Sequence, residues 1–70
     1  MPNFYLNSQA QANGDQEIHK EDCTFLPRLG NRIFLGDFNF CSDAIAAARE
    51  KYQISKLNGC YFCAKGCHTK

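Results

Sequence analysis

The 70-residue chain has no tryptophan, one methionine, two prolines and almost no excess charge of either sign. Eight Lys and Arg against seven Asp and Glu leave a net charge of +1, which offers no basic footprint for nucleic acid or for an anionic membrane. No segment approaches the roughly twenty apolar residues needed to cross a bilayer. The opening Met1-Pro2-Asn3-Phe4-Tyr5-Leu6 has neither the basic start nor the apolar run of an export signal. Internal repeats, low-complexity tracts and a linker are also missing, so residues 1–70 read as a single domain. A chain this short buries a small core, and an added staple is expected: a metal ion, disulfides or a partner chain.

What the sequence does have is sulfur and aromatic rings. Five cysteines, six Phe and three Tyr are present. Three of the cysteines crowd into Cys60-Tyr61-Phe62-Cys63-Ala64-Lys65-Gly66-Cys67-His68, and upstream lies His19-Lys20-Glu21-Asp22-Cys23. Thiolates and imidazoles at such short spacings suit a tetrahedral zinc ion, because a tight loop can turn two side chains onto one point. Without an export signal the expected setting is a reducing cytoplasm, where clustered cysteines are more often ligands than disulfides. The odd cysteine count points the same way, since pure pairing leaves one thiol over. A mature secreted form whose signal has been removed is the alternative.

The pattern predicts an α+β domain, a small antiparallel sheet of about three strands with one helix packed on it. An N-terminal hairpin (1–20) uses the aromatic-rich Asn3-Phe4-Tyr5-Leu6-Asn7 and the short Gln16-Glu17-Ile18-His19, with Ala12-Asn13-Gly14-Asp15 as its turn. A loop and strand follow (21–39), the strand being Arg32-Ile33-Phe34-Leu35-Gly36. The helix is expected over 40–52, with Asn39 as N-cap, Asp43 in the first turn, and Arg49 and Lys51 near the end. Cys41, Ala44, Ile45, Ala48 and Tyr52 share one of its faces. Asn58-Gly59 reads as a turn delivering a cysteine knuckle over 58–68.

The expected metal ligands are His19, Cys23, Cys60 and Cys63. Cys67 or His68 is the alternative to His19, because a C-x2-C-x3-C run can also wrap one ion. Cys41, on the apolar helix stripe, reads as a small buried hydrophobe, with a disulfide to Cys67 or Cys23 as its rival. Phe34, Phe38, Phe40, Phe62 and Tyr61 read as core or rim packing, and an exposed ring at the knuckle would serve as a docking point for an unidentified protein partner. Asp37, Asp43, Glu21 and Asp22 show no pairing suited to acid–base chemistry. The CxxC follows the helix instead of opening one, unlike a dithiol oxidoreductase. The expected role is therefore a zinc-stapled binding module without catalysis. A disulfide-stabilised secreted protein and a thiolate-based enzyme are the rivals.

The order His19-x3-Cys23, a strand ending in Phe38, an Ala-rich helix and Gly59-Cys60-Tyr61-Phe62-Cys63 resembles the zinc-binding module of the bacterial Ada DNA-repair protein. It is also similar to Ada-like modules attached to some bacterial nucleases. The resemblance covers about residues 18–63 and implies one zinc held by an upstream ligand pair and the C-x2-C. The chain departs from the pattern in having His19 where Ada has cysteine, and in adding Cys41, Cys67 and His68. Ada's transfer of a methyl group from DNA to its zinc thiolate would need a basic surface that this balanced charge does not supply. The chain further looks like a group of short bacterial proteins that share the Asn-Gly-Asp turn, the Leu-Gly-x-Phe strand end and the Gly-Cys-x-x-Cys…Cys-His tail.

Overall fold

A computed structural model of the chain describes residues 3–11 and 14–68. Four strands and one helix make an α+β fold: β1 (Asn3–Asn7), β2 (Gln16–Lys20), β3 (Arg32–Asp37), α1 (Cys41–Tyr52) and β4 (Leu57–Gly59). Single 3-10 turns precede β3 (Leu29–Asn31) and follow the knuckle (Lys65–Cys67). The strand order is β3-β1-β2-β4.

β1 and β2 form the expected hairpin, with Phe4 opposite Lys20, Tyr5 opposite His19 and Leu6 opposite Ile18. Gly14, at φ 92°, donates its N–H to the Gln11 carbonyl in the connection, while Ala12 and Asn13 lie outside the described residues. β3 pairs antiparallel with the free side of β1. The register slips by one residue where Phe4 faces Gly36 and Tyr5 faces Phe34. Gly36 absorbs this bulge at φ 136°, a backbone angle that other residues avoid.

Two expectations about the sheet need correction. It has four strands, not about three, and it is mixed, because β4 runs parallel to β2. Asn58-Gly59, expected as a turn, belongs to β4, with Asn58 opposite Glu17 and Gly59 opposite Ile18. A three-residue strand has too little length for any periodicity to show, and Asn-Gly is a dipeptide that normally signals a turn. Parallel neighbours require a long crossover, and here β3 and α1 lie within it.

The helix begins one residue later than expected. Phe40, in extended conformation (φ −131°, ψ 145°), occupies the N-cap position, and no side chain caps the first amides there. Asn39 precedes that position and is not the cap. Asp43 in the first turn and Arg49 and Lys51 in the last complement the helix dipole as anticipated. Gln53 ends the helix in the left-handed conformation (φ 54°) usually given to glycine. Ala44 and Ala48 press against Phe4, Leu6 and Ile18 to make the core, which Cys41, Ile45, Ile33, Leu35, Phe38, Ile54 and Leu57 surround. Tyr52, expected on the buried stripe, is 37% exposed at the helix end.

The opposite face of the sheet carries Tyr5, against which the Phe34 ring packs at 5.4 Å and the Arg32 guanidinium at 5.5 Å. Phe34, Phe40, Tyr61 and Phe62 are all half or more exposed, so only Phe38 of the expected aromatic set joins the core periphery. No helix among the described residues is long and apolar enough to cross a membrane.

Candidate metal centre

Strand alternation turns His19 to the face opposite Ile18, so β2 feeds the core with one residue and the candidate site with the next. Both side chains are buried, His19 to 2% exposure. Two residues earlier on the same face, Glu17 reaches the far side of the ring, with Oε1 3.5 Å from Nε2. That leaves Nδ1 directed at sulfur: Cys23 Sγ lies 3.6 Å away and Cys63 Sγ 4.0 Å.

Cys23 arrives by a turn immediately after β2, in which its N–H donates to the Lys20 carbonyl at 3.1 Å. Cys60 arrives by the parallel ladder, its N–H donating to the Ile18 carbonyl at 3.0 Å. The next turn, closed by the Ala64 N–H on the Cys60 carbonyl (2.9 Å), brings Cys63 back to the same point. Cys23 and Cys60 sulfurs are 3.8 Å apart. The donor atoms of His19, Cys23, Cys60 and Cys63 all lie within 4.8 Å of one another, close enough to bind a metal ion.

Backbone amides add to the site. The Lys20 N–H donates to Cys63 Sγ (3.3 Å) and the Phe25 N–H to Cys23 Sγ (3.4 Å). Such bonds favour the thiolate, the form that binds metal. Burial works against ionisation. It pushes the Cys63 thiol well above the usual range, reinforced by hydrogen bonding with Cys23, and the Lys20 amide only partly offsets this. For His19, burial lowers the pKa and the Glu17 charge partly restores it, so the ring is held neutral, as a ligand must be. Metal entering this site would displace thiol protons.

The remaining cysteines leave the ligand set. Cys41, at the start of α1, and Cys67 form a disulfide. Cys41 is therefore not an unpaired buried hydrophobe, and Cys67 is not an alternative ligand. His68 is not one either, since its Nδ1 lies 2.9 Å from the Gly59 carbonyl and its ring packs edge-on against Tyr61. Five cysteines thus divide into one bonded pair and the three thiols of the candidate site.

Rings ride over the site. Phe25 stacks on Phe62 with centroids 4.5 Å apart, and Tyr61 meets Phe62 edge-on at 5.2 Å. A cleft of about 320 Å³ lined by Lys20, Asp22, Cys23, Thr24, Phe62 and Cys63 opens beside the sulfurs. Sequence reasoning overlooked Glu17 and Phe25. Glu17 was recoverable, being two residues from His19 and so on the same strand face. Phe25 was not, because no local pattern ties it to Phe62 across the fold. Neither family models, curated proteins nor solved structures provide a match to this chain.

Proposed function

We propose that the protein is a zinc-stapled interaction module, with zinc held by His19, Cys23, Cys60 and Cys63. The observation that carries this is the donor spacing. Zn–S bonds of about 2.3 Å and Zn–N bonds of about 2.0–2.1 Å, arranged tetrahedrally, put sulfurs about 3.8 Å apart and nitrogen about 3.6 Å from sulfur. The site has 3.8 Å between Cys23 and Cys60, 3.6 Å from His19 to Cys23 and 4.0 Å from His19 to Cys63. A closed set of three thiolates and one imidazole, with no vacant position for substrate, fits a structural ion. The second supporting feature is the Glu17 contact to the outer ring nitrogen, the usual way a ligating histidine is oriented.

The docking face in this reading is the exposed trio Phe25, Tyr61 and Phe62, which are 55%, 50% and 68% accessible beside the metal. Aromatic rings clustered on a rigid knuckle match the anchors of protein interfaces. Truncating Tyr61 weakens partner capture without unfolding the domain, and unchanged capture rejects the docking face. Methyl transfer of the Ada kind is no part of the proposal, given the near-neutral charge. A cytoplasmic setting is part of it, since reduction keeps the three ligand cysteines as thiols, although the same setting works against the Cys41–Cys67 bond.

The deciding measurement is elemental analysis with mass under native and denaturing conditions. One zinc per chain, lost on denaturation, is expected. A chelator then unfolds the domain, because binding energy is folding energy in such sites. Retained helix signal and dispersed amide resonances after metal removal count against the staple.

The Cys41–Cys67 bond favours one second reading, a disulfide-stabilised secreted protein. Thiol counting in denaturant without reductant separates the two: three free thiols for the zinc module, one if a second disulfide forms. A thiolate enzyme would show one cysteine alkylating far faster than the others.

A further inference from the structure

We infer that the Cys41–Cys67 disulfide and the metal site are coupled, so that reducing the bond loosens the metal and the metal protects the bond. The inference rests on the metal reading above. Its basis is where the bond is tied. Cys67 sits in a 3-10 turn whose N–H donates to the Ala64 carbonyl at 2.9 Å, directly behind the turn that presents Cys60 and Cys63. That turn is pressed against the strand end, where a Cβ placed on Gly59 would meet Ala64 O at 2.6 Å and Cys67 Cβ at 2.7 Å. His68 Nδ1 on the Gly59 carbonyl closes the same contact from the other side.

At its other end the bond is anchored in α1, whose Ala44 and Ala48 are locked into the core. The closed loop from Cys41 to Cys67 encloses Cys60 and Cys63, whereas His19 and Cys23 lie outside it on and after β2. The disulfide therefore narrows where one ligand pair can lie relative to the other before any ion arrives. Without it the knuckle keeps its own hydrogen bonds, the short β4 ladder, the Lys20 amide on Cys63 Sγ and the Phe25–Phe62 stack, and more freedom is lost when the ion binds. Preorganisation of this kind raises affinity, and linkage requires the reverse effect to be equal.

The chemistry needs a reductant, a cellular dithiol. One of its thiolates attacks a sulfur of the Cys41–Cys67 bond, the S–S bond breaks, and the second thiol resolves the mixed disulfide. The dithiol leaves as a disulfide, and its two electrons and two protons end on Cys41 and Cys67 as free thiols. No ligand sulfur is oxidised or reduced. A module with this device would grip its ion, and hold its docking face in shape, more firmly under oxidising conditions.

The test titrates zinc(II) into the full chain against a competing chromophoric chelator, in three forms. These are the oxidised protein, the same protein after a phosphine reductant, and the Cys41→Ser/Cys67→Ser variant. Alkylation and peptide mass mapping verify the state of each cysteine. Zinc affinity about tenfold or more lower in both the reduced protein and the variant is expected. Cobalt(II) spectra should show the same three-sulfur, one-nitrogen tetrahedral site throughout.

Affinities equal within error overturn the coupling and leave the metal reading intact. A change to a four-sulfur spectrum on reduction overturns it too, since Cys67 would then be exchanging into the site. Zinc binding to none of the forms removes both this inference and the module reading. A second measurement needs no substitution: the Cys41–Cys67 bond is equilibrated with glutathione, with and without zinc. A tenfold coupling appears as a shift of about 30 mV toward harder reduction when metal is present. No shift refutes the proposal.

Discussion

Replacing Gly59 with alanine tests the packing that joins strand, knuckle and disulfide. The added Cβ would lie 2.6 Å from the Ala64 carbonyl oxygen, 2.7 Å from Cys67 Cβ and 3.0 Å from the Cys67 carbonyl carbon. Ordinary contact begins at 3.4 Å, so the closest pair must separate by about 0.8 Å. None of these atoms is the swinging tip of a long side chain. Two are backbone, and the third is held by the bond to Cys41. The strain therefore passes to the backbone, and overpacking of this kind costs about 2–3 kcal/mol.

In a domain of this size each kcal/mol moves Tm by about 4–8 °C, so a fall of roughly 8–24 °C is expected in thermal circular dichroism of the metal-loaded, oxidised protein. Gly66→Ala is the matched control in the same segment. Nothing lies within 4 Å of a Cβ there, and its φ is outside the left-handed region. Restricting the unfolded chain should make that variant about 0.4–1 kcal/mol more stable. A Gly59→Ala protein melting within about 2 °C of the parent would refute the close approach, as would equal damage from both substitutions.

Three further outcomes are expected. Leu6→Ala, at a side chain with 0% exposure, should cost about 2–5 kcal/mol in denaturant unfolding, against little change if Leu6 were peripheral. Glu17→Gln should weaken zinc binding by about 10–100-fold with an unaltered cobalt spectrum, because it removes the negative charge facing His19 Nε2 without removing a ligand. Acidification should destabilise the fold, because a protonated His19 can neither bind metal nor stay buried without cost. Burial holds the His19 pKa below its ordinary 6.5, so the folded state binds fewer protons than the unfolded chain, and stability present above that pH is lost as pH falls beneath it. Melting measured from pH 8 to pH 5 checks this, and a flat profile would place His19 in water.

Local chemistry was sufficient to identify the hairpin from its Asn-Gly turn, the β3 run from β-favouring residues between turn signals, and the alanine-rich helix from its side-chain period. It was also sufficient to nominate the four candidate ligands, with Cys67 or His68 still open in place of His19, because histidine and cysteine at spacings of three and four residues carry their own signal. Locally ambiguous signals went astray. Asn58-Gly59 has turn chemistry and was recruited into a strand; Phe40, with no capping side chain, starts the helix where Asn39 was expected to. Phe34 is apolar yet exposed, since a sheet with one covered face leaves its other face in solvent, and Phe40 is exposed at the N-cap of α1, outside the sheet.

The amino-acid order by itself determined an α+β domain with a sulfur-rich end and a histidine–cysteine pair upstream. Only the tertiary structure decided which cysteines pair in a disulfide and which gather with His19 at the candidate site. The parallel pairing of β4 with β2 puts Cys60 beside His19, and the packing of α1 brings Cys41 to Cys67. Both are contacts between residues distant along the chain, and their partners are selected by core packing and ladder hydrogen bonds that no short stretch of sequence contains.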